Sequence, residues 1–398
     1  MADPVASLYL HVPFCARKCA YCALYSRPAS TAQIDRYVEA VRREMDIIHE
    51  HLRPRTVYIG GGTPSLLSMR QWERLLRQFV FLDLCGPAEW TMEANPGALS
   101  MDLAKLWRDH GINRVSLGIQ TLHDPLLQRL GRIHTRATAV QSFDLLRRVG
   151  FDNINVDLMF AIPGQTMQMW GATLTEALAL DSEHLACYEV TYEEDTPLYE
   201  QMRARQFAVD ENLACAMYEE LIIRAELAGL HQYEVSNFAQ NGPGNAALSP
   251  ALEPADIPSR ACLHNVNYWR GGSFGGIGPS ATSYLRGVRS KNLADTAAYC
   301  EALEQGRSPV EDREELPPLA RAGEIAAFGL RMTAGWPYGL FRQTTGFDLR
   351  QQWAGEIAQM IQLGYGQSDG HRFRLTPLGL RFADWVAEQF IRLPDNTD

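Results

Sequence analysis

No stretch of this 398-residue chain approaches the roughly 18 consecutive apolar residues of a membrane-spanning helix. Its first residues, Met1 to Ser7, lack the basic segment and apolar core of a secretory leader. Basic side chains are in deficit: 37 Lys and Arg against 47 Asp and Glu give a net charge of −10. Such a chain lacks the positive field of a sequence-blind phosphate binder, so no nucleic acid is expected among its partners. Cysteine is too scarce for a disulfide scaffold, at 8 in the whole length. Disorder and low complexity are equally excluded, because 46% hydrophobic and 21% charged residues are ordinary for a folded chain. The expectation is a soluble, cytoplasmic protein of two or three domains, at roughly 150 residues per domain.

What the sequence does contain is a regular alternation from residue 7 to about 235. Apolar runs read as buried strands at Ser7–Val12, Thr56–Ile59, Trp90–Glu93, Arg114–Leu117, Ile154–Met159 and His184–Val190. Between them lie helical periods, as in Ile34, Tyr37, Val38, Val41, Met45 and Ile48, with charges on the opposite side. Continuous hydrophobic strands alternating with helices imply a parallel sheet covered by helices. Six units fall short of the eight that close a full barrel, so an α/β fold with an open or partial barrel is expected. Residues 240–260 read as a long irregular loop rich in Pro, Gly, Ala and Ser. From about 317 the pattern is helical again, with a hairpin over Gly364–Leu375 turning at Ser368-Asp369-Gly370 and a last helix through Phe382–Ile391. That predicts three parts: a barrel over 1–238, a covering segment over 239–316, and a smaller, mostly helical, winged-helix-like domain over 317–398.

Three of the cysteines crowd into one loop after the first strand, as Cys15-x3-Cys19-x2-Cys22. A structural zinc site is one reading, but zinc takes four ligands, commonly as two pairs, and the next cysteine is Cys85. Three thiolates on a short loop suit a cubane iron–sulfur cluster with one iron left open to a small molecule. Further polar residues gather at the ends of successive strands: the run Gly60-Gly61-Gly62-Thr63, Glu93, Gln120 and Asp157. The C-terminal ends of parallel strands share one mouth, where ligands bind in such folds. The glycine run lacks the Gly-Lys-Ser/Thr of a phosphate loop. It would instead let backbone approach a ligand closely.

The cysteine motif resembles that of the radical S-adenosylmethionine (SAM) superfamily, whose fold is a partial (β/α)6 barrel and whose loop holds a [4Fe–4S] cluster. Tyr9-x-His11, Gly60–Ser65, Glu93-Ala-Asn-Pro96, Ser116–Gln120, Arg132 and Asp157 narrow the resemblance to one branch. It contains oxygen-independent coproporphyrinogen III oxidase and the related haem chaperones. The resemblance implies cluster ligation by Cys15, Cys19 and Cys22. It implies SAM binding by Tyr9, Tyr21, Gly61, Gly62, Thr63, Glu93, Gln120, Arg132 and Asp157.

Two departures and one addition bear on function. Where the oxidase carries a further cysteine, this chain has Leu24; the strand-five motif reads Phe160-Ala161-Ile162-Pro163, with Ala161 in place of Gly. Beyond the barrel, Cys262-Leu-His264-Asn265-Val-Asn-Tyr268-Trp269 carries a signature of the chaperone branch. An imidazole commonly ligates haem iron, so His264, Cys262, Tyr268 and Trp269 are candidate haem residues, expected at the mouth. The alternative is a docking loop with His264 bonded to backbone and Trp269 buried. The resemblance implies a haem chaperone, with membrane respiratory enzymes as acceptors, an electron donor to the cluster and a second copy of the chain as further partners. The rivals are oxidative decarboxylation of coproporphyrinogen III and radical chemistry on another substrate. No catalytic side chain is assigned.

Overall fold

The computed structural model describes residues 5–242, 257–285 and 287–393. Most of the irregular 240–260 segment therefore lies outside the described residues. Six parallel strands form the centre: β1 (Val5–Val12), β2 (Leu52–Gly61), β3 (Glu89–Ala94), β4 (Arg114–Gln120), β5 (Ile154–Phe160) and β6 (His184–Glu189). They neighbour one another in chain order, as βα units joined by helical crossovers do. β4 is buried at every residue but its last, which is why the strand reads as a continuous apolar run.

The covering helices are specified locally. Ser30 with Gln33, and Ser68 with Gln71, form capping boxes that start the helices Thr31–Ile48 and Met69–Phe81. Thr135 and Thr166 cap the helices that follow β4 and β5. Their apolar faces pack on the sheet in one large core that includes Trp72, Trp90, Trp107 and Trp170.

The sheet continues past the six units on both sides. β7 (Leu230–Gln232) and β8 (Asn237–Gln240) add antiparallel strands beside β6. On the other side β9 (Phe274–Ile277) pairs parallel to β1, followed by antiparallel β10 (Thr282–Leu285), β11 (Val288–Asn292) and β12 (Val310–Glu315). The result is an open twelve-stranded sheet among the described residues.

A second core forms within 322–390, around Trp336, Phe341, Trp353, Phe373 and Phe390. It is mostly helical, with a small sheet of β13 (Trp336–Pro337), β14 (Gly366–Ser368) and β15 (Arg372–Leu375). β14 and β15 form the hairpin anticipated around Ser368–Gly370. Among the described residues no helix is long and apolar enough to cross a membrane.

Candidate functional site

At the C-terminal ends of β1–β6 opens a cavity of about 1230 Å3. The loop after β1 forms one wall and carries Cys15, Cys19 and Cys22, all unpaired and partly exposed. The loop is stitched to the barrel: Ala20 N donates to Leu130 O at 2.9 Å, and Leu198 N donates to Ala20 O at 2.9 Å. Among the described residues no three His, Cys, Asp or Glu side chains converge on one point. Thiols set apart along a loop suit ligands of separate irons in a cubane better than the closed shell of a single zinc.

The glycine run ends β2 and threads between its neighbours. A Cβ on Gly60 would lie 2.6 Å from the Glu93 carboxyl carbon, and one on Gly62 2.5 Å from Phe14 O. Packing of this loop against β1 and β3 thus demands the missing side chains, in addition to any approach of a ligand. Gly61 sits at φ +108° against the His11 ring, which Tyr9 OH holds at 3.0 Å. Tyr9 itself does not line the cavity. Its expected direct contact with cofactor is corrected to a supporting one, because its hydroxyl is spent on His11 behind the loop.

One chain of polar contacts links two of the cysteines across three strands. Cys15 Sγ lies 3.5 Å from Thr63 Oγ1, which accepts from Asn95 Nδ2 at 2.7 Å. Asn95 Oδ1 accepts from Arg132 Nη2 at 2.7 Å, and Arg132 Nη1 points at Cys19 Sγ at 3.6 Å. Arg132 also donates to Gly118 O at 2.7 Å, where β4 carries a register shift. The same irregularity places Gln120 at φ +68°, with its amide on the cavity wall and unbonded to any described residue. Tyr21 packs between Cys19 and Arg132, and burial drives its hydroxyl's pKa above the usual range.

Two half-buried carboxylates, Glu93 and Asp157, line the cavity. Glu93 accepts from Tyr58 OH at 2.8 Å and Gly61 N at 3.0 Å. Burial lifts its pKa to about 7, and the nearby Asp157 adds to the rise. Asp157 accepts from Asn155 Nδ2 at 2.7 Å and Ser116 Oγ at 3.0 Å, and burial lifts it to about 6. Carboxylates, a guanidinium, a free amide and glycine backbone form a donor and acceptor set suited to a zwitterionic, cationic nucleoside such as SAM. Sequence reasoning named the ends of this set and missed its connectors Tyr58 and Asn155, while Ser116 was named within a motif but given no role. Asn95 was visible two residues after Glu93 but had no assigned role.

The signature segment lies at the opposite end. The helix Leu263–Trp269 sits across the N-terminal starts of β2 and β3. Glu89, the first residue of β3, accepts from Leu263 N at 2.8 Å and His264 N at 3.0 Å, and Cys262 Sγ is 3.5 Å away. His264 is 1% exposed, with Nδ1 2.9 Å from Thr56 Oγ1 and Nε2 2.8 Å from Tyr268 OH. Burial pushes His264 down to about 3 and Cys262 up to about 12. The expectation that residues 239–316, with His264, Cys262, Tyr268 and Trp269, cover the mouth and offer an iron ligand is therefore corrected for the described residues of that range. Both imidazole nitrogens are spent on protein, Cys262 is fully buried, and Trp269 packs beside Val266, Ile257 and Met332. The segment plugs the far end of the barrel. The mouth is instead roofed by the C-terminal unit, whose Arg381, Phe382 and Trp385 line the cavity. No periodicity in the sequence links those residues to the barrel.

Comparison with known proteins agrees with this architecture. The family described as Radical SAM superfamily matches residues 9–177, and the HemN C-terminal domain matches residues 316–382. Heme chaperone HemW of Lactococcus lactis is 34% identical over 97% of this chain and 97% of its own. Heme chaperone HemW of Bacillus subtilis is 31% identical over 97% of this chain and 99% of its own. Among solved structures, coproporphyrinogen III oxidase (HemN) from Escherichia coli superposes with a TM-score of 0.80 at 18% identity. That match covers 98% of this chain and 91% of the other, and it establishes the shared fold.

Proposed function

Because this chain belongs to the radical SAM superfamily, and within it to the family of the heme chaperone HemW proteins, we propose that it binds haem and delivers it to haem-requiring respiratory enzymes. The observation that carries this reading is likeness along nearly the whole length of chaperone relatives, with both domains present. The oxidase reading rests on the shared fold and the C-terminal domain match, and at the cavity lip the residue that would supply an extra thiol is Leu24, 55% exposed.

Cys15, Cys19 and Cys22 would hold the [4Fe–4S] cluster, with Arg132 supplying an N–H toward Cys19. When bound, the cluster supplies an open iron for SAM and an electron received from a separate donor. Gly61, Gly62 and Thr63 shape the inner cavity wall, while Gln120, Arg132, Glu93 and Asp157 orient SAM and balance its charges. In this division the described residues of 1–238 carry cluster and cofactor, those of 239–316 seal the far end and widen the sheet, and those of 317–398 roof the mouth.

The test is paired. Anaerobic protein with a reconstituted cluster, titrated with haem, should develop a Soret band that saturates near one haem per chain. The same protein with SAM, reductant and coproporphyrinogen III should form no protoporphyrinogen IX. Sustained decarboxylation would transfer the chain to the oxidase class.

A further inference from the structure

The cavity is larger than SAM requires. Its volume of about 1230 Å3 exceeds the roughly 300–1,000 Å3 of a pocket for one drug-sized ligand. The inner half is polar and lies against the cysteine loop. The outer half lies between the end of β6 and the C-terminal unit, and its chemistry differs. Tyr188, Phe382 and Trp385 line it, each about 40% exposed (41%, 42% and 40%). Phe382 and Trp385 are backed by Tyr365, at ring-centre distances of 5.3 and 5.8 Å, so their orientation is fixed without a ligand. Large aromatic surface left open within a concavity marks a binding face.

Two guanidinium groups edge the same region. Arg381 Nη1 pairs with Glu219 at 2.5 Å and Arg331 Nη1 pairs with Asp384 at 3.0 Å. The partner carboxylates stand largely in solvent, 56% and 91% exposed. Arg331 Nε also lies 3.9 Å from the buried Glu234 carboxylate, and the Nε of each arginine is buried, so what each offers a ligand is its terminal Nη groups. A guanidinium presents several Nη–H donors, and a ligand carboxylate in the cavity could bond them in place of partners that stand largely in solvent. Aromatic faces beside two guanidinium groups whose Nη partners are solvent-exposed carboxylates describe a site for a flat apolar ring system with two carboxylates.

We propose that this outer half of the cavity is the haem site. The porphyrin plane lies between Tyr188 and the Phe382–Trp385 face, and its two carboxylates bond Arg331 and Arg381. The assignment rests on the haem reading above and replaces His264 as the locus of binding. It also places haem beside the cofactor half of the same cavity, within one enclosure built from both domains.

Haem titrations of the full-length, cluster-loaded protein test it. Tyr188→Ala and Trp385→Ala should each weaken haem binding by about tenfold, because each loses a ring face and its buried area. The dimethyl ester of haem, which lacks both charges, should bind wild type more weakly than haem. In the double variant Arg331→Gln with Arg381→Gln, that preference should vanish. Iron content and SAM binding of the same variants report whether the fold and the inner half are intact, and both should persist. Wild-type protein that binds no haem would overturn the function and leave this site without an occupant. Wild-type binding that survives all these substitutions, or that is lost only in His264→Ala, would overturn the location alone. Weakened SAM binding in place of weakened haem binding would assign the outer half to the cofactor.

Discussion

At the scale of single residues, Ala161 shows how a departure in sequence becomes strain in structure. The residue follows β5 at φ +56°, in the left-handed region where a Cβ crowds the backbone. Ala161→Gly should therefore raise unfolding stability by about 1 kcal/mol, read as a higher urea midpoint at unchanged slope. Glu93 and Asp157 were legible because each puts a carboxylate into a largely apolar strand, Glu93 one residue before the end of β3 and Asp157 in the middle of β5, where it has no packing role. Tyr58 was not, since a tyrosine inside an apolar strand reads as core, and only the fold reveals its bond to Glu93. The two carboxylates also set a pH dependence. In the free protein their pKa values are raised to about 7 and about 6, so lowering the pH adds protons to both. A bound sulfonium cation favours the ionised forms, so binding releases protons and affinity climbs as pH rises. SAM affinity should increase by up to about tenfold per unit for each proton released between pH 5.5 and 7, then level off. Calorimetry in two buffers of different ionisation enthalpy would detect the released proton; a flat profile would separate these carboxylates from the cofactor.

Among the elements, the six central strands were readable because burial on both faces forces continuous apolar runs. The flanking strands β9–β12 were not. β12 is exposed throughout and reads Val-Glu-Asp-Arg-Glu-Glu, with no apolar alternation. It is held to β11 by backbone pairing and charge, as in Arg289 with Glu314 at 2.8 Å. The signature helix Leu263–Trp269 was visible as a motif, but its place was not. Nothing in a motif states which end of a barrel it meets, and here Glu89 decides by accepting amides at the helix start. His264→Ala should accordingly destabilise the fold by about 2–3 kcal/mol, since Thr56 and Tyr268 each lose a buried partner. Haem stoichiometry should be retained in the folded variant. Thermal unfolding and a Soret titration of the same sample give both answers, and loss of haem without loss of stability would contradict the plug.

At the scale of the whole molecule, the cysteine loop, the polar wall proposed for SAM and the C-terminal roof meet in one cavity, so a ligand there touches both domains. That arrangement suits a carrier, in which cargo enters and leaves by a shared opening while a separate element seals the opposite end. The net charge of −10 was legible from the start, yet composition could not show that Arg331 and Arg381 line the cavity at its roof. Delivery is the central claim, and it is tested most directly by handover. Protein loaded with haem at one equivalent is mixed with membranes from haem-starved cells, and the Soret spectra of soluble and membrane fractions are followed. The account predicts that haem leaves the protein and appears in the respiratory haemoproteins, with recovery of their oxidase activity. Haem that remains with the protein while the membranes stay inactive would contradict it.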